Sequence, residues 1–222
     1  MLLNSVVELT KIHSSLGLKH GDFAGELVEQ LLCLMYIGPE KDTLTGILEI
    51  GGYLGRTSCV MSRLCNRLVV IEPNKEFCDK LIENRDHNKL NFHIENTAIS
   101  KVPMKQLNFH TVPESVIQYF TNYDEWKPVQ SLTWTELKSK YDLVFDVLVV
   151  DGEGALYHIM KEEPTFFETF RLVIIENDHQ HVDHKTEIDE TLRNNNFQLI
   201  LSQYGPDENW ILNDSFYEVW KK

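Results

Sequence analysis

Ile47-Leu-Glu-Ile-Gly-Gly-Tyr-Leu-Gly-Arg56, followed by Val69-Val-Ile-Glu-Pro73, decides how this chain folds. Ile47 to Ile50 is a short apolar run bounded by glycines, the pattern of a buried strand. Gly51, Gly52 and Gly55 form a tight turn, and a helix is predicted from Arg56. The second run, Leu68 to Ile71, is another strand, and it ends on the carboxylate of Glu72. Glycines let a backbone turn come close to a ligand. An acid at the next strand tip can accept both hydroxyls of a ribose. Together they predict a nucleoside pocket at the carboxyl edge of a parallel sheet.

Outward from this stretch, strand and helix alternate. Pro73 and Asn74 open a helix to about Arg85, since proline fits a first helical turn. Asn91 to Ile94 is a third strand with Thr97-Ala-Ile-Ser100 as its exit. Gln106 to His110 is a candidate strand, and Pro113 to Pro128 reads as an irregular, aromatic-rich insertion. Thr133 with Glu136 forms a capping-box pattern for a helix to Tyr141. Val144 to Val150 is a β-branched run suited to a central strand buried on both faces. It ends at Asp151-Gly-Glu-Gly154, and a helix is expected from there to about Phe170. Arg171 to Ile175 ends at Glu176-Asn-Asp-His179, and a helix covers Thr186 to Asn194. Phe197 to Ser202 and Trp210 to Trp220 close the chain as two strands. The fold class is α/β: a Rossmann-like, doubly wound, mostly parallel seven-stranded sheet with a late antiparallel strand. Residues 1–40 carry apolar groups at helical spacing and read as an N-terminal helical extension. Residues 41–222 form the cofactor-binding domain.

Composition narrows the partners. The 222 residues carry a formal net charge of -13. Such a surface repels phosphate backbones, so nucleic acid is not the expected partner. Cys33, Cys59, Cys65 and Cys78 lack CxxC spacing and read as buried thiols of a reducing compartment. No apolar run approaches the ~20 residues that span a bilayer. Met1 to Lys11 has no basic leader and carries Glu8, so a cytoplasmic protein without membrane insertion is expected. The oligomeric state is not legible.

A glycine-rich turn alone suits several nucleotides, or none. Glu49 sits at the strand end, where it would oppose a diphosphate but suit a cation. S-adenosylmethionine, with its sulfonium and ammonium and no phosphate, meets that requirement. Glu95 and Asn96, at the third strand tip, are placed to reach the adenine edge. The competing readings are a turn with no ligand and a Glu49 paired with Arg56 or Arg63.

Leu48-Glu-Ile-Gly-Gly-Tyr-Leu-Gly-Arg-Thr-Ser58, Ile71-Glu-Pro-Asn74, Leu81-Ile-Glu-Asn84, Asn96-Thr-Ala-Ile-Ser100 and Phe145-Asp-Val-Leu-Val-Val-Asp-Gly-Glu-Gly-Ala155 resemble the successive motifs of FkbM-type class I methyltransferases. The resemblance covers about residues 45–180. It implies methyl transfer from S-adenosylmethionine to an oxygen, often a sugar hydroxyl. It also implies that Glu49, Gly51 and Gly55 line the methionine end and that Glu72 holds the ribose. Gly52, Tyr53, Thr57, Ser58, Pro73, Asn96, Ala98 and Asp151 complete the expected cofactor contacts. Gly152, the aromatic insertion and the Glu-Asn-Asp-His run depart from the family pattern, and these departures bear on the acceptor.

A hydroxyl is a poor nucleophile, so either a base takes its proton or a divalent metal lowers its pKa. Asp151 and Glu176 end adjacent strands about 4.8 Å apart, which brings their carboxylates together. Glu153, Asn177 and Asp178 add oxygens. An all-oxygen set suits Mg²⁺, Mn²⁺ or Ca²⁺. The arrangement is similar to that of catechol O-methyltransferase, which by resemblance makes Asp151, Glu176 and Asn177 the metal ligands, with Mg²⁺ or Mn²⁺ the expected ion. In the metal-free alternative Asp151 or His179 is the general base and Glu176 grips the acceptor. A structural cluster, with Glu176 paired to Arg171, is the third reading. His158, His181 and His184 read as packed or solvated. Tyr53, Tyr123, Trp126 and Trp134 could wall a sugar ring or fill the core. The expected function is O-methylation of a sugar or glycan. A catechol-type small-molecule methyltransferase and a silent cofactor-binding partner subunit are the alternatives.

Overall fold

The computed structural model describes residues 2–119, 125–178, 181–206, 208 and 211–222. Its centre is a seven-stranded sheet. In chain order its members are β1 (Ile47–Ile50), β2 (Leu68–Ile71), β3 (His93–Glu95), β9 (Val147–Val150), β10 (Leu172–Glu176), β11 (Gln198–Gln203) and β12 (Tyr217–Lys221). In space they run β11-β12-β10-β9-β1-β2-β3. β12 is antiparallel to both β10 and β11, and all other pairs are parallel. This is the doubly wound sheet with one late reversed strand that the alternation predicts.

Strand alternation sorts the side chains onto two faces. Leu48, Ile50, Ile71, Leu148, Val150, Val173 and Ile175 share one buried cluster with Trp134, Phe166, Phe167 and Phe170. Helices α5 (Trp134–Tyr141), α6 (Ala155–Glu162) and α7 (Val182–Asn194) cover that face through Leu137, Ile159 and Ile188. Ile47, Val70, Val147, Val149 and Ile174 face the other way. They meet α2 (Leu27–Tyr36), α3 (Arg56–Met61) and α4 (Lys75–His87) through Leu32, Cys33, Met61 and Leu81. α1 (Leu2–Ser15) lies outermost, with Leu9 and Ile12 against Leu34 and Val60. The four cysteines are buried and unpaired.

Local rules account for most boundaries. Asn74 caps α4 by accepting from the Glu76 and Phe77 amides. Thr133 and Glu136 form the expected reciprocal capping box of α5. α6 stops at Glu162, well short of Phe170, because Pro164 cannot continue a helix. The last strand begins at Tyr217, not at Trp210, and Trp210 lies outside the described residues. Between β3 and β9 the chain builds two small sheets. One pairs β4 (Ala98–Ile99) with β8 (Ser131–Leu132). The other is the hairpin of β5 (Met104–Leu107) and β6 (His110–Pro113), flanked by β7 (Lys127–Val129). Among the described residues no helix is long and apolar enough to cross a membrane.

Candidate active site

The carboxyl ends of β1, β2, β9 and β10 open into a cavity of about 320 Å³. Glu72 forms one side of it. Its two carboxylate oxygens each accept a backbone N–H, one from Tyr53 at 2.7 Å and one from Asn74 at 2.7 Å. These bonds fix the carboxylate at the tip of β2 and leave further lone pairs facing the cavity. Burial pushes its pKa up to about 7. Asn96 braces the same turn, donating to the Glu72 and Pro73 carbonyls at 2.9 and 3.0 Å. It supports the pocket from behind and does not line it. Glu95 is likewise engaged elsewhere, by the Tyr141 hydroxyl and the Lys140 ammonium.

The glycines serve the turn before they serve a ligand. A Cβ on Gly51, at φ +91, would lie 1.5 Å from the Asp151 carbonyl oxygen. A Cβ on Gly52 would meet Val70 at 2.4 Å, and one on Gly55, at φ +79, would meet Leu81 at 3.0 Å. Gly51 lines the cavity, whereas Gly52 and Gly55 let α3 and α4 close on the sheet. Two non-glycine residues on the cavity wall, Tyr53 at φ +42 and Glu153 at φ +49, also hold a left-handed backbone. Each such residue costs about 1–2 kcal/mol.

On the side away from Glu72 the cavity is acidic. Glu26, Asp151, Glu153, Glu176 and Asp178 line it, with Arg56 as the facing cation. Alternation explains who meets whom. Glu49, Asp151 and Glu176 follow the parity of Ile47, Val149 and Ile174 and so point toward α2. There Glu29, which is 3% exposed, joins them. One carboxylate oxygen from each of Glu29, Asp151 and Glu176 lies within 4.8 Å of the others. Asn177 has the opposite parity. Its side chain is fully buried; its amide N–H donates to the Ser215 carbonyl at 2.6 Å, and its Oδ1 has no partner among the described residues. Of the expected Asp151–Glu176–Asn177 set, Asp151 and Glu176 come together, and Glu29 joins them.

Glu49 does not line the cavity. It lies beneath the turn and accepts the Ser58 hydroxyl at 2.5 Å, in place of any arginine pairing. Thr57 is also turned inward, its hydroxyl 3.0 Å from Glu26 and 3.2 Å from Glu29. Arg56 pairs with Glu26 at 3.1 Å. Arg171 pairs with Glu40 and Asp146, which removes the partner proposed for Glu176 in a purely structural cluster.

So many carboxylates with one arginine resist ionisation together. Burial, then the Asp151 charge, pushes Glu176 up to about 10. Burial, then the Glu153 charge, pushes Asp178 up to about 7, although it accepts the Glu153 N–H at 2.7 Å. Asp151 and Glu29 are raised well above the usual carboxylate range, burial first, with Asp178 and Asp151 respectively the nearest negative charges. Asp151 and Asp178 act on each other, and with both raised the pair is not fully ionised when no cation is near. The donor set is hard oxygen throughout and fits either a divalent ion or an ammonium.

Pro73 and Ala98 line the cavity, and so does His158, which the sequence reads as packed or solvated. His184 stacks on Tyr157 at 3.7 Å and His181 lies against His184 at 4.6 Å, away from the acids. Trp134 is a core residue and Trp126 is buried, so of the expected aromatic wall Tyr53 alone among the described residues lines the cavity. His179 and Tyr123 lie outside the described residues. The sequence reading missed Glu26 and Glu29. Glu26 just before α2 and Glu29 on its buried face, three residues apart, were the available signal.

No protein-family model matches the chain, and no curated protein matches it in sequence. Solved structures do match in shape. A ribosomal protein L11 methylase from Lactobacillus delbrueckii subsp. bulgaricus superposes with TM-score 0.51 at 12% identity, over 90% of this chain and 80% of that one. A Pyrococcus horikoshii protein described as a candidate RNA methyltransferase gives TM-score 0.51 at 15% identity, over 100% and 98%. An uncharacterized protein from Listeria monocytogenes serotype 4b gives 0.52 at 11%, over 86% and 64%. At these identities the likeness is one of fold, and that fold is the class I methyltransferase fold.

Proposed function

We propose that this chain is an S-adenosylmethionine-dependent O-methyltransferase of the FkbM type, acting on a hydroxyl of a sugar or similar polyol. One observation carries the reading. A carboxylate fixed by two backbone amides at the tip of β2 faces a cavity whose other end is a nest of acids. A ligand that suits both ends has a ribose diol joined to a positive charge, and S-adenosylmethionine is such a molecule. The net charge of -13 speaks against a polyanionic acceptor such as the RNA named for the Pyrococcus neighbour.

In this reading Glu72 accepts the two ribose hydroxyls. The 5′ chain runs past Gly51 toward Asp151, where the acids match its sulfonium and ammonium. Arg56 takes the α-carboxylate. The acceptor oxygen approaches in line with the methyl–sulfur bond, and alignment supplies much of the rate. As the new C–O bond forms and the C–S bond breaks, the hydroxyl proton passes to Asp151. The ionised form of Asp151 is favoured once a cation has joined the nest. Glu29, Asp151 and Glu176 would hold Mg²⁺ or Mn²⁺, which when bound lowers the pKa of an oxygen beside it.

The test is transfer of label from methyl-tritiated S-adenosylmethionine to a panel of sugars, catechols, RNA and protein. Label in a sugar, lost in Asp151→Asn while cofactor affinity stays within a few-fold, supports the reading. Label in RNA or protein overturns the acceptor, and loss of cofactor binding in Asp151→Asn overturns the role of Asp151.

A further inference from the structure

One wall of the cavity is made by the β5–β6 hairpin, whose His110 lies 3.8 Å from Glu153. Gln106 and Thr111 are direct cross-strand partners there, and both side chains line the cavity. They are 8% and 5% exposed. Among the described residues the buried Thr111 hydroxyl has no partner. A buried hydroxyl without a partner is uncommon, so Thr111 beside the cavity-lining Gln106 marks the place of a polar ligand edge. Around them the wall is apolar: Met104 beside Gln106 on β5, and Ala98 and Ile99 on β4. A slot with apolar sides and an amide at its end fits a flat heterocycle.

The hairpin is held in register with the ribose carboxylate. Asn74, two residues beyond Glu72, donates its side-chain N–H to the Asn108 carbonyl at the hairpin tip, at 3.1 Å. Phe109 of the tip stacks on Phe77 at 5.2 Å and meets Tyr53 edge-on at 5.6 Å. A ribose seated on Glu72 carries its base and its 5′ chain on opposite sides of the ring. The cationic chain goes to the acids, which leaves the hairpin wall for the base.

We infer that the β5–β6 hairpin reads the adenine of the cofactor, with the Gln106 amide pairing with the 6-amino group and a neighbouring ring nitrogen, and Thr111 beside it. An amide can make a two-point match to adenine of this kind. Gln106 is then a specificity-determining residue, and the inference rests on the methyltransferase reading above.

The experiment is a calorimetric cycle with S-adenosylhomocysteine and its 6-deamino analogue, in which hydrogen replaces the amino group. The wild type should prefer the amino compound by roughly tenfold, the discrimination typical of a two-point amide–base match. Gln106→Leu should bind both compounds equally, at the affinity the wild type shows for the analogue. Gln106→Met serves as the second variant should leucine unfold the chain, and circular dichroism reports folding for both. Equal affinity of the wild type for the two compounds, or a preference that survives in the variants, overturns the assignment of Gln106 while leaving the cofactor reading intact. Failure of the wild type to bind either compound overturns both. Unchanged binding with a raised KM for the acceptor overturns the assignment too and moves the hairpin to the acceptor side.

Discussion

Binding of a divalent ion to the acid nest should expel at least one proton at pH 7, and the raised acids set that floor. Glu176 is pushed up to about 10, first by burial and then by the Asp151 charge, so it is protonated at neutrality in the free protein. The three cluster oxygens lie within 4.8 Å of one another, so an ion among them lies within about 5 Å of Glu176. One unit of charge at about 5 Å and an effective dielectric constant of about 20 is worth roughly 3 kcal/mol, or about 2.4 pH units. A single positive charge would therefore bring Glu176 only to roughly 7.6 and ionise about a fifth of it at pH 7. A divalent ion brings it to roughly 5 and ionises it fully. Asp178, at about 7, is half-ionised already and adds at most about half a proton. Calorimetric titration of Mn²⁺ in two buffers of different ionisation enthalpy, Pipes and Tris, reads the protons directly. More than one proton released per ion is expected, since Glu29 and Asp151, also raised well above the usual carboxylate range, must ionise to hold it. Binding with no difference between the buffers would refute the electrostatic reasoning, and absence of binding would refute the metal set.

Four further outcomes are expected. The unfolding free energy of the free protein should fall as pH rises from 5 to 7: the native state keeps protons on Glu72 and Asp178, both near 7, and on Glu176, near 10, that the unfolded chain has lost above about 4.5. Stability from a raised acid is complete below its unfolded pKa and is lost through its folded one, at about 1.4 kcal/mol per pH unit per group, so one group alone gives about 3 kcal/mol; urea melts that are flat or rise with pH would contradict this. Gly51→Ala should destabilise by roughly 3 kcal/mol or more, since its Cβ would overlap the Asp151 carbonyl at φ +91, while Gly38→Ala, with nothing within 4 Å, should stay within about 0.5 kcal/mol in the same melts. Glu29→Gln should weaken Mn²⁺ about tenfold or more with S-adenosylhomocysteine binding changed less than about threefold; an equal loss of both would make Glu29 a cofactor residue. Glu72→Ala should lower S-adenosylmethionine affinity by about a hundredfold, because a buried charged acceptor of two hydroxyls is removed, and unchanged affinity in calorimetry would take the ribose away from β2.

The fold was legible because its central strands are buried on both faces. Ile47–Ile50, Val147–Val150 and Leu172–Ile175 are near-continuous apolar runs, and each ends on or just before a glycine or an acid. The position of Glu72 followed from the same logic. The membership of the acid nest was legible only in part. Glu49, Asp151 and Glu176 share a parity along neighbouring strands in register, and Asn177 follows the end of β10. Glu29 could not be placed this way, because it arrives from α2 through packing against β10, a contact remote in sequence. Glu49 looked like a ligand-facing acid, but in a strand buried on both faces the same parity carries it under the turn, onto Ser58. The hairpin was the least legible element. Its tip, Leu107-Asn-Phe-His110, turns on Asn108 at φ +53 with no glycine or proline to announce it. Gln106 and Thr111 therefore gave no sign of facing each other across a cavity.

The most direct measurement is titration of the purified chain with S-adenosylmethionine and, separately, with NAD. A diol seat on Glu72 opposite a nest of carboxylates should take up one S-adenosylmethionine per chain and give no heat with NAD, whose diphosphate the acids repel. Silence with the sulfonium compound, or uptake of the dinucleotide, would contradict the account.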